Sequence, residues 1–345
     1  MPTELSPDTT LVLTPHARFF RTNNEYVLLT PNARYTFRER SADLFDKVKF
    51  LLDGSQSLKT VAERANVSFV ELCQTLSLLV EDGGLRDVSA LLAARTAEQF
   101  LDAYFPICDE WALDIFSYPF WQVTMSGQAS PSTILGWGLE FYHRVMGADE
   151  HNAISVNFCR DQTIREWLQS HFAEEVDHGN LFLEGLVASG LDRERVLQSQ
   201  PLPSTRALIN FLNTLATSDI VAYLGCYGVM HSPRVGQTRE NIDNQYNRLK
   251  EWYSFAVPLL NKIHEHAAVD IDLGHDGIVF ERMINHQATI DAQTPVKVLG
   301  AMKGIVTAFV SFFGGIYEYY QSPAALIPRP EVSTFDFFPE LVESF

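Results

Sequence analysis

Positive charge is scarce in this chain: 26 Lys and Arg face 43 Asp and Glu, a net charge of -17 over 345 residues. Neutralising phosphate needs surplus cations, so the balance argues against a protein whose whole surface binds nucleic acid. Cysteine is scarce too. Cys73, Cys108, Cys159 and Cys226 are widely spaced and form no C-x-x-C pair. That pattern fits reduced thiols and a cytoplasmic location better than a disulfide framework. The sequence has no G-x-G-x-x-G, Walker loop, G-x-S-x-G or H-E-x-x-H, which weakens dinucleotide, nucleotide, hydrolase and zincin readings. No repeat period is visible. The opening MPTELSPDTTLVL lacks a basic stretch ahead of an apolar one and does not read as a secretion signal. Long apolar runs are missing as well. Within Val298 to Tyr317 the uncharged stretch from Gly304 to Tyr317 falls short of a span of about 20 residues, and Lys303 and Gly314-Gly315 interrupt the segment. A buried core helix is expected there, with no membrane contact.

What is present is an ordinary globular balance, 46% hydrophobic and 20% charged. Its charge is uneven. Residues 1–90 hold 12 acidic and 10 basic side chains, whereas residues 91–345 hold 31 and 16. Seven of the ten histidines lie between His171 and His286. Three segments are therefore expected: a small domain over 1–90, a helical domain over 91–325 and a tail over 326–345.

In the first segment, Ala17–Phe20, Tyr26–Thr30 and Tyr35–Phe37 are β-prone runs separated by turn residues. Ser41 is placed to cap a helix through Leu52, with Asp53-Gly54 ending it. Leu58–Ala65 and Phe69–Val80 have helical spacing, and a strand over Leu85–Val88 follows Gly83-Gly84. The order matches a small α+β winged helix. An exposed hairpin edge could accept a peptide strand. The cations Arg34, Arg38, Arg40, Lys47 and Lys49 could instead meet phosphate, and a purely structural or dimerising wing is the third reading.

The second segment is mainly α, with expected breaks at Pro106, Pro119, Ser130-Pro131, Gly190, Pro201–Pro203, Ser232-Pro233, Pro258, Thr294-Pro295 and Pro323. About seven helices fit between them, and a bundle can build a metal site from inward side chains. Two clusters could supply it. In HFAEEVDHG, Glu175 and His178 are three apart and Glu174 and His178 four apart, so either pair can share a helix face. In HEHAAVDIDLGHDG, His266 and Asp270 are four apart and Asp272 and His275 three apart. One regular helix cannot aim His266, Asp270 and His275 at one point, since nine residues rotate by about 180°. Such groups are costly to bury unless paired or metallated. Glu140 and His143, also three apart, are a candidate acid–base pair or additional ligands. His171 and His286 read as surface or packing residues.

Several phrases resemble known families. LLDGSQSLKTVAERA, with a helix ending near EDGGL, is similar to PQQ-chaperone-like (PqqD-like) domains over most of residues 11–88. That resemblance implies recognition of the leader of a ribosomal precursor peptide. SYPFWQVTMSGQASPSTILGWGLEFYHRV resembles the heme-oxygenase-like superfamily of TenA and PQQ synthase. HFAEEVDHGNLFLEGLVASGL with EHAAVDIDLGHDGIVFERMI narrows it to the iron-containing heme-oxygenase-like diiron oxidases, over residues 97–320. The resemblance implies a seven-helix bundle that holds two irons and activates O2. The family's early Glu and His fall on Glu175 and His178, and its later His-x-x-x-Asp with a following His falls on His266, Asp270 and His275.

Two departures qualify that expectation. The family's shorter spacing would select Asp272 with His275 and put Ala268 where a His belongs. A mid-chain Glu of the family falls at or near His231, on the helix that here reads DIVAYLGCYGVMHSP. Histidine there removes a negative charge and the capacity to bridge two metals. The site would then hold one iron, an altered pair or none. The first expectation is a non-haem iron oxidase or oxygenase acting in natural-product or modified-peptide biosynthesis, its wing holding a leader or carrier peptide. A metal-free enzyme using His acid–base chemistry and a non-catalytic peptide-binding protein are the alternatives. A homodimer through a helix face is a further expectation.

Overall fold

A computed structural model describes residues 5–22, 25–30, 33–231, 238–273 and 278–330; the side chains at 22, 39, 231, 269–273 and 278 lie outside that description. The chain begins with β1 (Thr10–Leu13), β2 (Arg18–Thr22), β3 (Glu25–Leu29), β4 (Arg34–Phe37), α1 (Glu39–Val48), β5 (Asp53–Ser57), α2 (Leu58–Ala65), α3 (Phe69–Glu81) and β6 (Leu85–Asp87). Helices follow: α4 (Ser89–Ala93), α5 (Ala97–Phe116), α6 (Pro119–Met125), α7 (Pro131–Phe158), α8 (Gln162–Glu175), α9 (Gly179–Ala188), α10 (Arg193–Leu197) and α11 (Pro203–Ser218). The rest are α12 (Ile220–Leu224), α13 (Tyr227–His231), α14 (Arg239–Trp252), α15 (Val257–Leu273), α16 (Ile278–His286) and α17 (Thr294–Tyr320). Two compact units form, Met1–Ile115 with Val221–Ser232 and Gly277–Thr307, and Phe116–Ile220 with Pro233–Asp276 and Ala308–Phe345. The unit holding the small sheets thus takes in chain well beyond residue 90.

In the first unit the antiparallel meander β2-β3-β4 has the strands expected from the β-prone runs. In the second sheet, ordered β5-β1-β6, only β6 coincides with a β-prone run expected from the sequence. All four residues of β1 are buried, so it shows no alternation to read. Asp53 and Gly54, expected to end a helix, open strand β5 and pair with β1. Ser41 is also not the cap: Arg38 holds that position, and the Ser41 hydroxyl closes the turn by donating to the Arg38 carbonyl at 2.8 Å. Leu11, Leu28, Phe45, Leu58, Leu72 and Leu76 join in one core under the sheets and α1–α3, with Phe37 stacked on Phe45 at 4.6 Å. Of the five cations in the basic cluster, Arg38 pairs with Glu25, Arg40 with Glu71 and Lys49 with Asp46. Those pairings leave less free positive charge for phosphate than the sequence suggests.

Prolines mostly open helices here, where a missing N–H costs nothing. Pro119, Pro131 and Pro203 occupy first-turn positions of α6, α7 and α11. Pro106 is different: α5 runs straight through it, with Tyr104, Ile107, Cys108 and Trp111 buried around it. Burial of that face outweighs the lost hydrogen bond, and the expected break does not occur. The reverse holds for DIVAYLGCYGVMHSP, where α12 and α13 are separate. The buried Tyr104 hydroxyl fits the gap, donating to the Gly225 carbonyl at 2.9 Å and accepting the Gly228 N–H at 3.0 Å.

In the second unit, α7 packs against α8, α9 and α11, and α15 against α9 and α14. Its aromatic core includes Phe120, Trp121, Trp137, Phe141, Phe182, Phe312 and Phe313. Helix α17 is long and apolar enough to cross a membrane by length and composition, but Val298, Met302, Ile305, Phe312 and Ile316 are buried within protein. The Gly314-Gly315 pair does not interrupt it. A Cβ at Gly315 would come within 2.1 Å of the Ser204 Oγ, so the pair permits a close approach.

Candidate metal centre

The Glu175–His178 pair is assembled by a helix break instead of a shared helix face. Asp161 caps α8, its carboxylate accepting the Ile164 N–H at 2.9 Å. The helix ends at Glu175, and Asp177 takes a left-handed φ of 72°, tolerable for Asp though not favoured. The His178 N–H then donates to the Glu175 carbonyl at 3.3 Å before α9 begins. This turn brings the His178 Nδ1 to 3.3 Å from the Glu175 carboxylate. Glu174, one position earlier, is exposed, which separates it from the buried Glu175.

Helix α15 supplies the third group. The His266 ring lies 5.4 Å from that of His178, nearly perpendicular at 79°, and 5.4 Å from Phe182 of α9. Ligand atoms of Glu175, His178 and His266 all lie within 4.8 Å of one another. Among the described residues this is the group of His, Cys and carboxylate side chains placed to share an ion. Asp270 and Asp272 follow on α15, but their side chains lie outside the described residues, as does His275 altogether. His231 is the last residue of α13 and its side chain is likewise outside them.

The other half of the HEH motif turns elsewhere. His264 contacts the Asp243 carboxylate at 2.7 Å and the Lys250 ammonium at 3.1 Å, both on α14. His171 is a buried packing residue of α8, and His286 is exposed at the end of α16.

Glu140 and His143 do not form an acid–base pair with each other. Glu140 is fully buried and accepts three hydrogen bonds: from the Leu202 N–H at 3.0 Å, the Thr205 hydroxyl at 2.5 Å and the Tyr320 hydroxyl at 2.7 Å. Burial pushes its carboxyl above the ordinary range, while the three donors and Arg329 pull it back. His143 Nε2 meets the Ser199 hydroxyl at 2.9 Å. Burial, then the cations Arg206 and Arg329, press its imidazole down to about 4. Glu140 is thereby a tie among α7, the start of α11 and the end of α17.

Asp149 was not foreseen. It lies on α7 close enough to feel the charges of His178 and Glu175; burial raises its pKa, and the Asp177 N–H bonded to it works the other way. Its Oδ1 is buried with no hydrogen-bond partner among the described residues. The only sequence signal was an acid within a largely apolar helix.

The helical bundle has a heme oxygenase-like fold. A domain of unknown function from Shewanella denitrificans with that fold superposes with a TM-score of 0.52 at 19% identity, over 67% of this chain and 97% of that one. A TenA homologue from Pseudomonas syringae pv. tomato is similar over 61% of this chain and 89% of its own, with 12% identity and a TM-score of 0.47. No protein-family model matches the chain, and no curated protein sequence does.

Two imidazoles and one carboxylate are the donor set non-haem Fe(II) enzymes use on one face of an octahedron. With metal–ligand bonds of about 2.1 Å, neighbouring donors sit about 3 Å apart. Glu175 and His178 already meet that separation, at 3.3 Å. The residues present fit a mononuclear iron site.

Proposed function

We propose that the helical region is a non-haem iron-dependent oxidase or oxygenase, with iron held by Glu175, His178 and His266. The observation that carries this reading is the convergence of one carboxylate and two imidazoles from α8, the α8–α9 turn and α15. Iron bound there would supply O2 activation and one-electron chemistry, with open positions for O2 and substrate. Glu175 would neutralise part of the metal's charge. Phe182 limits rotation of the His266 ring, and the turn at Asp177 fixes His178 relative to Glu175. Asp149 adds a nearby carboxylate able to hold a proton or orient a water. The substrate reaches the site as part of, or attached to, a leader or carrier peptide held by the N-terminal sheets. Support for that part is the three-stranded meander, whose outer strands β2 and β4 have edges suited to strand addition, beside the exposed Phe20 and Phe50.

The test is anaerobic titration of the full chain with Fe(II), followed by metal analysis and O2-consumption measurements. About one Fe per chain, lost in Glu175→Ala and His266→Ala while both stay folded, is the expected result. A folded protein with no iron above background, and turnover indifferent to chelator, would point to metal-free histidine chemistry and sink the iron reading.

A further inference from the structure

A cleft of about 530 Å³ in the helical unit is lined chiefly by Phe116, Trp121, Met125, Tyr246, Arg248 and Trp252. Its size falls among small-molecule sites, which run from about 300 to 1,000 Å³. The walls are held from behind. Trp121 packs against Phe116, Phe120, Trp137 and Phe313 at centroid distances of 4.9 to 5.6 Å. Trp252 covers Gly127, whose φ of +74° and missing side chain let the indole lie where a Cβ would come within 3.0 Å. The Tyr253 hydroxyl donates to the Thr124 carbonyl at 2.9 Å and accepts the Ala129 N–H at 3.1 Å, fastening the end of α14 to the α6–α7 connection. Tyr246 stacks on His264 at 4.9 Å and 13°, and His264 is itself held by Asp243 and Lys250. A cleft fixed in this way loses little entropy when it takes a ligand.

The polar groups narrow the ligand. The Trp121 indole N–H is buried out of reach of solvent, so Trp121 serves the cleft only as aromatic wall. Arg248 is exposed and makes no ion pair among the described residues, although the chain as a whole carries -17. Aromatic walls suit a flat ring, and one free cation suits a single negative charge. We infer that this cleft binds a small aromatic carboxylic acid, its ring against the aromatic walls and its carboxylate toward Arg248. One cation is too few for a phosphate ester, which draws several. The inference stands apart from the iron reading, since it needs no metal at Glu175.

The experiment is calorimetric titration of the metal-free full chain with 2-naphthoate and with its neutral counterpart, 2-naphthalenemethanol. The acid is expected to bind one per chain with a sub-millimolar Kd, and more tightly than the alcohol. Arg248→Met should weaken the acid at least tenfold, about 1.4 kcal/mol, and leave the alcohol unchanged. Trp252→Ala should weaken both. Arg248 is exposed, so its variant keeps the test valid if Trp252→Ala fails to fold. Absence of 2-naphthoate binding up to about 5 mM, where even a weak site of a few kcal/mol would register, overturns the proposal. Equal losses of acid and alcohol in Arg248→Met do the same, as does a stable dimer that covers Trp252 and excludes both probes.

Discussion

Glu140–His143 and Glu175–His178 carry the same sequence signal, a glutamate three residues before a histidine on a helical stretch. The structure treats them in opposite ways. Glu140 sits mid-helix in α7 and spends its carboxylate on three donors from α11 and α17, while His143 turns to Ser199. Glu175 ends its helix, and the break at Asp177 brings His178 back toward it and leaves both near His266. A buried carboxylate surrounded by donors is a structural tie. One surrounded by other groups able to bind metal is a candidate site. Spacing alone does not separate the two; the donors met across the fold do.

The largest effect expected from breaking this contrast is on stability at Glu140. Glu140→Ala strands the Tyr320 and Thr205 hydroxyls and the Leu202 N–H in the interior, at a cost of about 3 kcal/mol or more. Urea unfolding would show it, whereas Glu175→Ala should change stability by about 1 kcal/mol or less without metal. An equal loss in both variants would erase the distinction. The second effect is on metal linkage. Fe(II) at 100 times its Kd should stabilise the wild type by about 2.7 kcal/mol, and Glu175→Ala and His266→Ala should abolish that gain. His143→Gln, in the other pair, should keep it.

Third, the His143 imidazole titrates near 4 when folded against about 6.5 when unfolded. The unfolded chain therefore binds the extra proton first, so this contribution is complete above about pH 6.5 and fades as pH falls toward 4. Its ceiling is about 3 kcal/mol, and a pH series of unfolding midpoints should be flatter in His143→Gln. The smallest effect belongs to the turn. Asp177→Gly relieves a left-handed residue and should stabilise by a few tenths of a kcal/mol, roughly, while Asp177→Val should destabilise by about 1 kcal/mol. Iron affinity should fall in the valine variant and hold in the glycine one if the turn positions His178.

A further pH-sensitive contact lies in the first unit. His16 meets the Asp114 carboxylate through Nδ1 and the Gly83 carbonyl through Nε2 at 2.6 Å, a pattern in which both ring nitrogens donate. Burial opposes the charge, yet Asp114 holds the imidazole above its ordinary value. Its contribution is full below pH about 6.5 and is lost as pH rises through the folded value, the reverse of His143.

Much of the helical organisation was legible. The strands β2, β3 and β4, helices α2 and α3, and the burial of α17 follow from alternation, helical spacing and turn residues. The heme oxygenase-like resemblance agrees with the fold. The mistakes share one cause. Strand β1 is buried on both faces, Pro106 sits inside a helix, and Gly225 marks a break that Tyr104 fills. In each case packing from distant residues overrode the local preference. At the candidate site, the clustering of Glu175, His178 and His266 joins three of the expected ligand positions, whereas nothing near Asp149 in sequence resembles a motif. The expectations for Asp270, Asp272, His275 and His231 rest on side chains outside those described.

Composition by itself determined that this is a mainly helical, acidic chain with carboxylates and imidazoles concentrated in its later part, because periodicity and charge are local properties of a sequence. Which glutamate became a tie and which a candidate ligand was decided by the tertiary structure. The partners that settle it, Tyr320 for Glu140 and His266 for Glu175, lie 180 and 91 residues away, beyond the reach of any local pattern.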